Sequence, residues 1–120
     1  MSEQLAFLAS YENFKNYSTC DDNKNRLIIL KFTATWCGPC KKIKPFIEAK
    51  KKEYPNNIFI AVDVDNDHHQ ALCNNFSVQA MPTFIFYRNG VLLHTLVGSN
   101  EIEIDAKLKE LSNQTNEIVY

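Results

Sequence analysis

The residues best suited to chemistry are two cysteines separated by two positions, Cys37 and Cys40, in the stretch Phe32 to Phe46, "FTATWCGPCKKIKPF". A thiol attacks as its thiolate, and the unpaired N–H groups and positive dipole end at a helix start favour that form. Beyond Cys40, Ile43, Phe46, Ile47 and Tyr54 recur on one helical face, while Lys41, Lys42, Lys44, Lys50, Lys51 and Lys52 fill the others. The cysteines therefore open an amphipathic helix. Cys37 at its end is the candidate nucleophile. Cys40, three residues on, is the thiol that closes a small ring and expels a bound partner. Gly38 reads as allowing a close approach of the turn, and Pro39 suits a first helical turn, where its missing N–H is not needed.

A metal is the competing use of such a pair. Structural zinc takes four ligands, and Cys20, Cys73, His68 or His69 would have to complete the set. Neither cysteine has a partner at matching spacing, and adjacent histidines diverge on any regular element, so zinc is disfavoured. "DVDND", Asp63 to Asp67, resembles the opening of a calcium loop, but His68 stands at the glycine position and Asn74 where the bidentate Glu belongs. No bound metal or cofactor is expected. Cys20 reads as a loop thiol and Cys73 as a small buried hydrophobe, a regulatory role for either being the lesser reading.

The elements that position the pair follow from pattern. "LIILKF", Leu27 to Phe32, is a nearly unbroken apolar run that predicts a strand covered on both faces, and "IFIAVDV" predicts a second buried strand. Before them lie a short strand over Gln4 to Leu8 and a helix from about Tyr11 to Tyr17, capped by Ser10. Pro45 inside the cysteine helix predicts a kink. Asp67 or a neighbour opens a short helix through Leu72. "TFIFYRNGVLLHTLV" places two apolar runs around Asn89-Gly90, a hairpin signal. Asn100 caps a last helix whose inner face is Ile104, Leu108 and Leu111. The whole is an α/β domain over residues 1–112 with a mixed sheet, followed by a tail, 113–120.

Composition bounds the compartment and partners. A chain of 120 residues, 45% hydrophobic and with formal net charge -1, suits one core and gives no global pull toward nucleic acid or membrane. The N-terminus has neither a basic leader nor an apolar run long enough for a signal, so the expected location is cytoplasmic and the sequons at Asn16, Asn75 and Asn113 carry no weight. In a reducing cytosol four cysteines are not a disulfide framework, which favours a redox-active pair.

"ATWCGPCKKIKPF", "VDVD", "MPTF", "RNG" and "VGSNE" stand in the order and at nearly the spacing of the thioredoxin family, over roughly Gln4 to Leu111. The resemblance implies that family's fold, a four- or five-stranded mixed sheet flanked by helices, and its activity, reduction of protein disulfides by the Cys37/Cys40 dithiol. It implies a cis Met81-Pro82 bond, and a shallow apolar groove of Trp36, Met81, Pro82, Val97 and Gly98, in which a substrate strand pairs with the Met81 backbone. It implies electrons drawn indirectly from NADPH through a thioredoxin reductase, and protein substrates of the peroxiredoxin and ribonucleotide reductase kind. A monomer is expected, with a weak dimer through the apolar face as the alternative. Asp65 is an even choice between a strand-end carboxylate and the acceptor for the Trp36 indole.

Two positions depart from the family. Lys31 stands six residues before Cys37, where an aspartate is common beneath the pair, and Ala61 stands two positions before Asp63, where a charge is common. Lys31 has three readings: a cation that stabilises thiolates, a neutral base, or a stem that carries its ammonium to the surface. The function from another class is a thioredoxin-like binding module or chaperone-type subunit whose cysteines do not turn over. The Gly-Pro dipeptide resembles the reducing members of the family, whose potential is about -270 mV.

Overall fold

Residues Ile28–Thr33 form a strand, β1, whose side chains alternate between two layers, as the period-two geometry of a strand requires. In the computed structural model, which describes residues 8–112, Ile28, Leu30 and Phe32 join Leu8, Phe14, Val62, Leu72 and Tyr87 in one buried cluster. Ile29 points the other way, into a cluster with Ile43, Ile47, Phe84, Phe86, Ile104 and Leu108. Apolar side chains on both faces explain why β1 reads as an unbroken run.

Strand β2 (Ile58–Asp63) pairs parallel with β1, while β3 (Thr83–Arg88) pairs antiparallel with β1 and with β4 (Val91–Val97), in the order β2-β1-β3-β4. The buried residues of α1 (Tyr11–Thr19) and α3 (Gln70–Asn75) serve the first layer, and those of α2 (Gly38–Glu53) and α4 (Glu101–Ser112) serve the second. Of the four- or five-stranded mixed sheet flanked by helices that was expected, four strands lie among the described residues.

Local signals act at the expected places. Ser10 Oγ accepts the Asn13 N–H at 3.0 Å and Asn100 Oδ1 accepts the Glu103 N–H at 3.1 Å, capping α1 and α4. Asn89 and Gly90 both take positive φ, 50° and 78°, the left-handed pair that a two-residue hairpin turn needs. Helix α2 runs through Pro45 without ending. A 3-10 turn, Asp67–His69, precedes α3, so that helix starts later than its pattern predicts.

Among the described residues β2 is paired on one side only, with β1, and Ala61 is exposed. Its inward residues Ile60 and Val62 are buried, whereas Ile58 and Phe59 are half-buried. The strand expected over Gln4 to Leu8 lies outside the described residues except for Leu8, which is buried. The tail after Ser112 also lies outside them.

Candidate active site

Cys37 is the N-cap of α2: its backbone is extended and its Sγ accepts the Cys40 N–H at 3.2 Å. Pro39 occupies the first turn, where no N–H is needed. Cys37 and Cys40 are joined by a disulfide, with Cα atoms 5.3 Å apart. Cys37 is 5% exposed and Cys40 1%, so the first cysteine is the one nearer solvent. A side chain at Gly38 would meet nothing within 4 Å, so the close approach expected there is absent.

Beneath the pair, Ala34 completes a small buried cluster against which Val64 and Met81 pack. Val64 is a site residue that the sequence does not single out. It lies just past β2, pinned by its N–H to Thr33 O at 2.9 Å, and its only signal is the apolar place between Asp63 and Asp65.

Trp36 is 65% exposed, and its Nε1–H donates to Asp65 Oδ2 at 2.7 Å. Of the two readings of Asp65, the hydrogen bond matches that of indole acceptor. The Asp65 N–H in turn donates to Asp63 Oδ1 at 2.9 Å. Behind that loop His69, which by sequence is only a poor metal ligand, is buried and accepts the Asp63 N–H on Nδ1 at 3.2 Å. Nothing in "NDHHQ" marks which histidine turns inward.

The Met81-Pro82 peptide is cis, as the resemblance implied. The Gly98 N–H donates to Pro82 O at 2.8 Å, with Gly98 at φ 108°, a conformation that favours glycine. Val97 at the end of β4 is 59% exposed. Met81, Pro82, Val97 and Gly98 are thereby joined at the same end of the sheet as the cysteines, with Trp36 beside Cys37.

Lys31 sits on the α2 side of β1, half-buried, paired in register with Ala61. Its Nζ donates to Cys40 O at 3.3 Å, and it lines an open cleft of about 440 Å³ with Cys40, Lys41, Lys44 and Asp63. Its ammonium therefore rests on the Cys40 carbonyl at the wall of that cleft. Burial pushes the Lys31 ammonium below the ordinary lysine value, helped by Lys44 and Lys51 and opposed by Glu48.

The other two thiols are free. Cys20 is exposed with Sγ toward Tyr17 O at 3.3 Å, and Cys73 lies in the core, where burial pushes its thiol up. Among the described residues no three His, Cys, Asp or Glu side chains gather as a metal site, and no helix is long and apolar enough to cross a membrane.

Comparison with known proteins meets the same architecture. The sequence profile of the thioredoxin family matches residues 8–110. Thioredoxin from Ophiophagus hannah is 41% identical over 86 residues, covering 72% of this chain and 80% of that protein. Human thioredoxin is 40% identical over 87 residues, covering 72% and 81%. The X-ray structure of Fasciola hepatica thioredoxin superposes with a TM-score of 0.75 at 37% identity, covering 86% of this chain and 95% of the other. With a disulfide between the cysteines of its CGPC turn and relatives of this kind across most of its length, the chain belongs to the thioredoxin family and is a dithiol–disulfide oxidoreductase that reduces protein disulfides.

Proposed function

We propose that Cys37 is the attacking thiol and Cys40 the resolving one, in a cytoplasmic reductase recharged from NADPH by a thioredoxin reductase. The observation that carries the order is Cys37's place as N-cap, nearer solvent, with Cys40 one turn inside α2. The Cys37 thiolate attacks a substrate disulfide, forming a mixed disulfide and releasing one substrate thiolate. The Cys40 thiolate then attacks Cys37 Sγ, closing the internal disulfide and releasing the second. Two electrons pass to the substrate, and the reductase returns two from NADPH.

The substrate strand lies across Met81 and Pro82, between exposed Trp36 and Val97, adding main-chain hydrogen bonds at Met81. Disulfide-containing proteins such as peroxiredoxins and ribonucleotide reductase suit such a groove. Asp65 steadies Trp36, and Lys31 acts on the thiols from beneath. Residues 1–112 form the working domain, followed by the tail 113–120.

Insulin reduction driven by NADPH and a thioredoxin reductase tests this reading, with Cys40→Ser as control. Rapid NADPH consumption by the wild type is expected. Activity no greater than the control would sink it and leave a binding module. A measured potential near -270 mV is expected, and one at about -120 to -180 mV would make the chain an oxidant or isomerase instead.

A further inference from the structure

The loop that follows β2 carries two contacts to the active site. Val64 packs on the cysteines, and Asp65 holds the Trp36 indole. Several hydrogen bonds fix this loop. The Val64 N–H bonds Thr33 O at 2.9 Å, on the side facing β1. N–H groups alternate sides along a strand, so the Asp63 N–H faces outward, at an edge where no further strand supplies an acceptor among the described residues. His69 Nδ1 supplies it at 3.2 Å. The next residue, Gln70, donates from Nε2 to Val64 O at 2.6 Å and Asn66 O at 3.1 Å.

His69 is 5% exposed, so its ring is packed in place rather than free in solvent. An acceptor at Nδ1 means the Nε2–H tautomer, because a ring nitrogen bearing hydrogen can only donate. The chain of bonds then runs from His69 to Asp63, from Asp63 Oδ1 to the Asp65 N–H, and from Asp65 Oδ2 to Trp36, the residue before Cys37.

We propose that His69 is a positioning residue for disulfide exchange: through Nδ1 it fixes the turn that seats Val64 under the cysteines and Asp65 against Trp36. This rests on the reading of Trp36 and Cys37 as the substrate-facing site. His69 touches neither substrate nor sulfur, and acts by limiting how far the indole and the groove wall beside it wander before a partner docks.

Trp36 is the single tryptophan, so emission reads this site alone. The experiment compares wild type, His69→Leu, which lacks an acceptor, and His69→Asn, whose Oδ1 offers an acceptor near the Nδ1 position. Each is measured for Trp36 emission in the oxidised and reduced forms and for kcat and KM in insulin reduction. His69→Leu should shift the emission and raise KM several-fold with kcat little changed, His69→Asn should restore both, and in an Asp65→Ala background His69→Leu should add nothing. Wild-type emission and KM in His69→Leu, or failure of His69→Asn to restore them, would overturn the proposal. Should His69→Leu not fold, the two-bond proton–nitrogen spectrum of the wild type decides: an unprotonated Nδ1 is expected, and a protonated one overturns it. If the wild type reduces no insulin, the proposed function falls, while emission and the nitrogen spectrum still judge His69.

Discussion

The β1–β3 pair has two ends that face opposite demands. At the hairpin end Ile28 opposes Tyr87, whose hydroxyl meets that of Tyr11 at 2.8 Å. There the Gly90 N–H donates to the buried Ser18 hydroxyl at 2.9 Å, and the Arg88 guanidinium donates to Leu111 O at the end of α4. Three polar groups at this end thus find partners inside the molecule, although the buried Arg88 Nε has none. At the other end, beyond Phe32 and Thr83, Trp36 and Val97 lie exposed and the covalent link between Cys37 and Cys40 is one the chemistry must break. Stability is concentrated at one end of the sheet and reactivity at the other, so substitutions at the two ends should separate the two properties.

The largest separation is at the cysteines. Cys37→Ser should abolish insulin reduction, and Cys40→Ser should end turnover while trapping substrates as mixed disulfides that survive non-reducing electrophoresis. Reduced wild type and both variants should share one far-UV spectrum. Turnover by Cys37→Ser would break the comparison, because some other thiol would then be doing the work.

At the opposite end, Phe14 is fully buried among Tyr87, Phe76 and Leu8. Phe14→Ala should lower unfolding free energy by about 3–5 kcal/mol in a denaturant titration, the usual cost of truncating a buried aromatic. Activity per folded molecule should stay at the wild-type level. Gly90→Ala sharpens the same point on a smaller scale. Gly90 holds φ 78°, and an added Cβ would lie 3.1 Å from Thr19 Cγ2, so a loss of about 1–2 kcal/mol is expected, again without change in KM. A raised KM in either variant would show that the two ends are coupled.

The site is more legible in sequence than the sheet around it. Cysteine spacing, Pro39 in the first turn and the Asn89-Gly90 turn act locally, so a short window contains their cause. The Trp36–Asp65 bond spans 29 positions and is legible only as one of two roles for Asp65. That β2 is paired on one side only among the described residues is not legible, because an apolar run looks alike whether one or two strands flank it, and Ala61 is small enough to suit either. His69 is opaque for a related reason: it accepts an N–H on the side of β2 that no described strand pairs with.

Lys31 gives the smallest expected effect and the finest test of the reactive end. An ammonium pushed below the ordinary lysine value is less favoured in the fold than in the unfolded chain. Its protonated form therefore costs stability at every pH below the lowered value, and the cost fades as pH rises from there to the ordinary lysine range near 10.4. Lys31→Met should be more stable than wild type at neutral pH, with the gap narrowing in alkali. The thiols should respond oppositely. With Nζ 3.3 Å from Cys40 O, the cation rests on the backbone of the residue whose sulfur must become a thiolate to resolve the mixed disulfide. Attraction favours that anion. Thiolate absorbance of the reduced protein should rise at lower pH in wild type than in Lys31→Met, and at higher pH still in Lys31→Asp, where a carboxylate opposes it. Resolution rates at fixed pH should follow the same order. Superimposable titrations and rates for wild type and Lys31→Met would make Lys31 a spectator whose burial is a matter of packing alone.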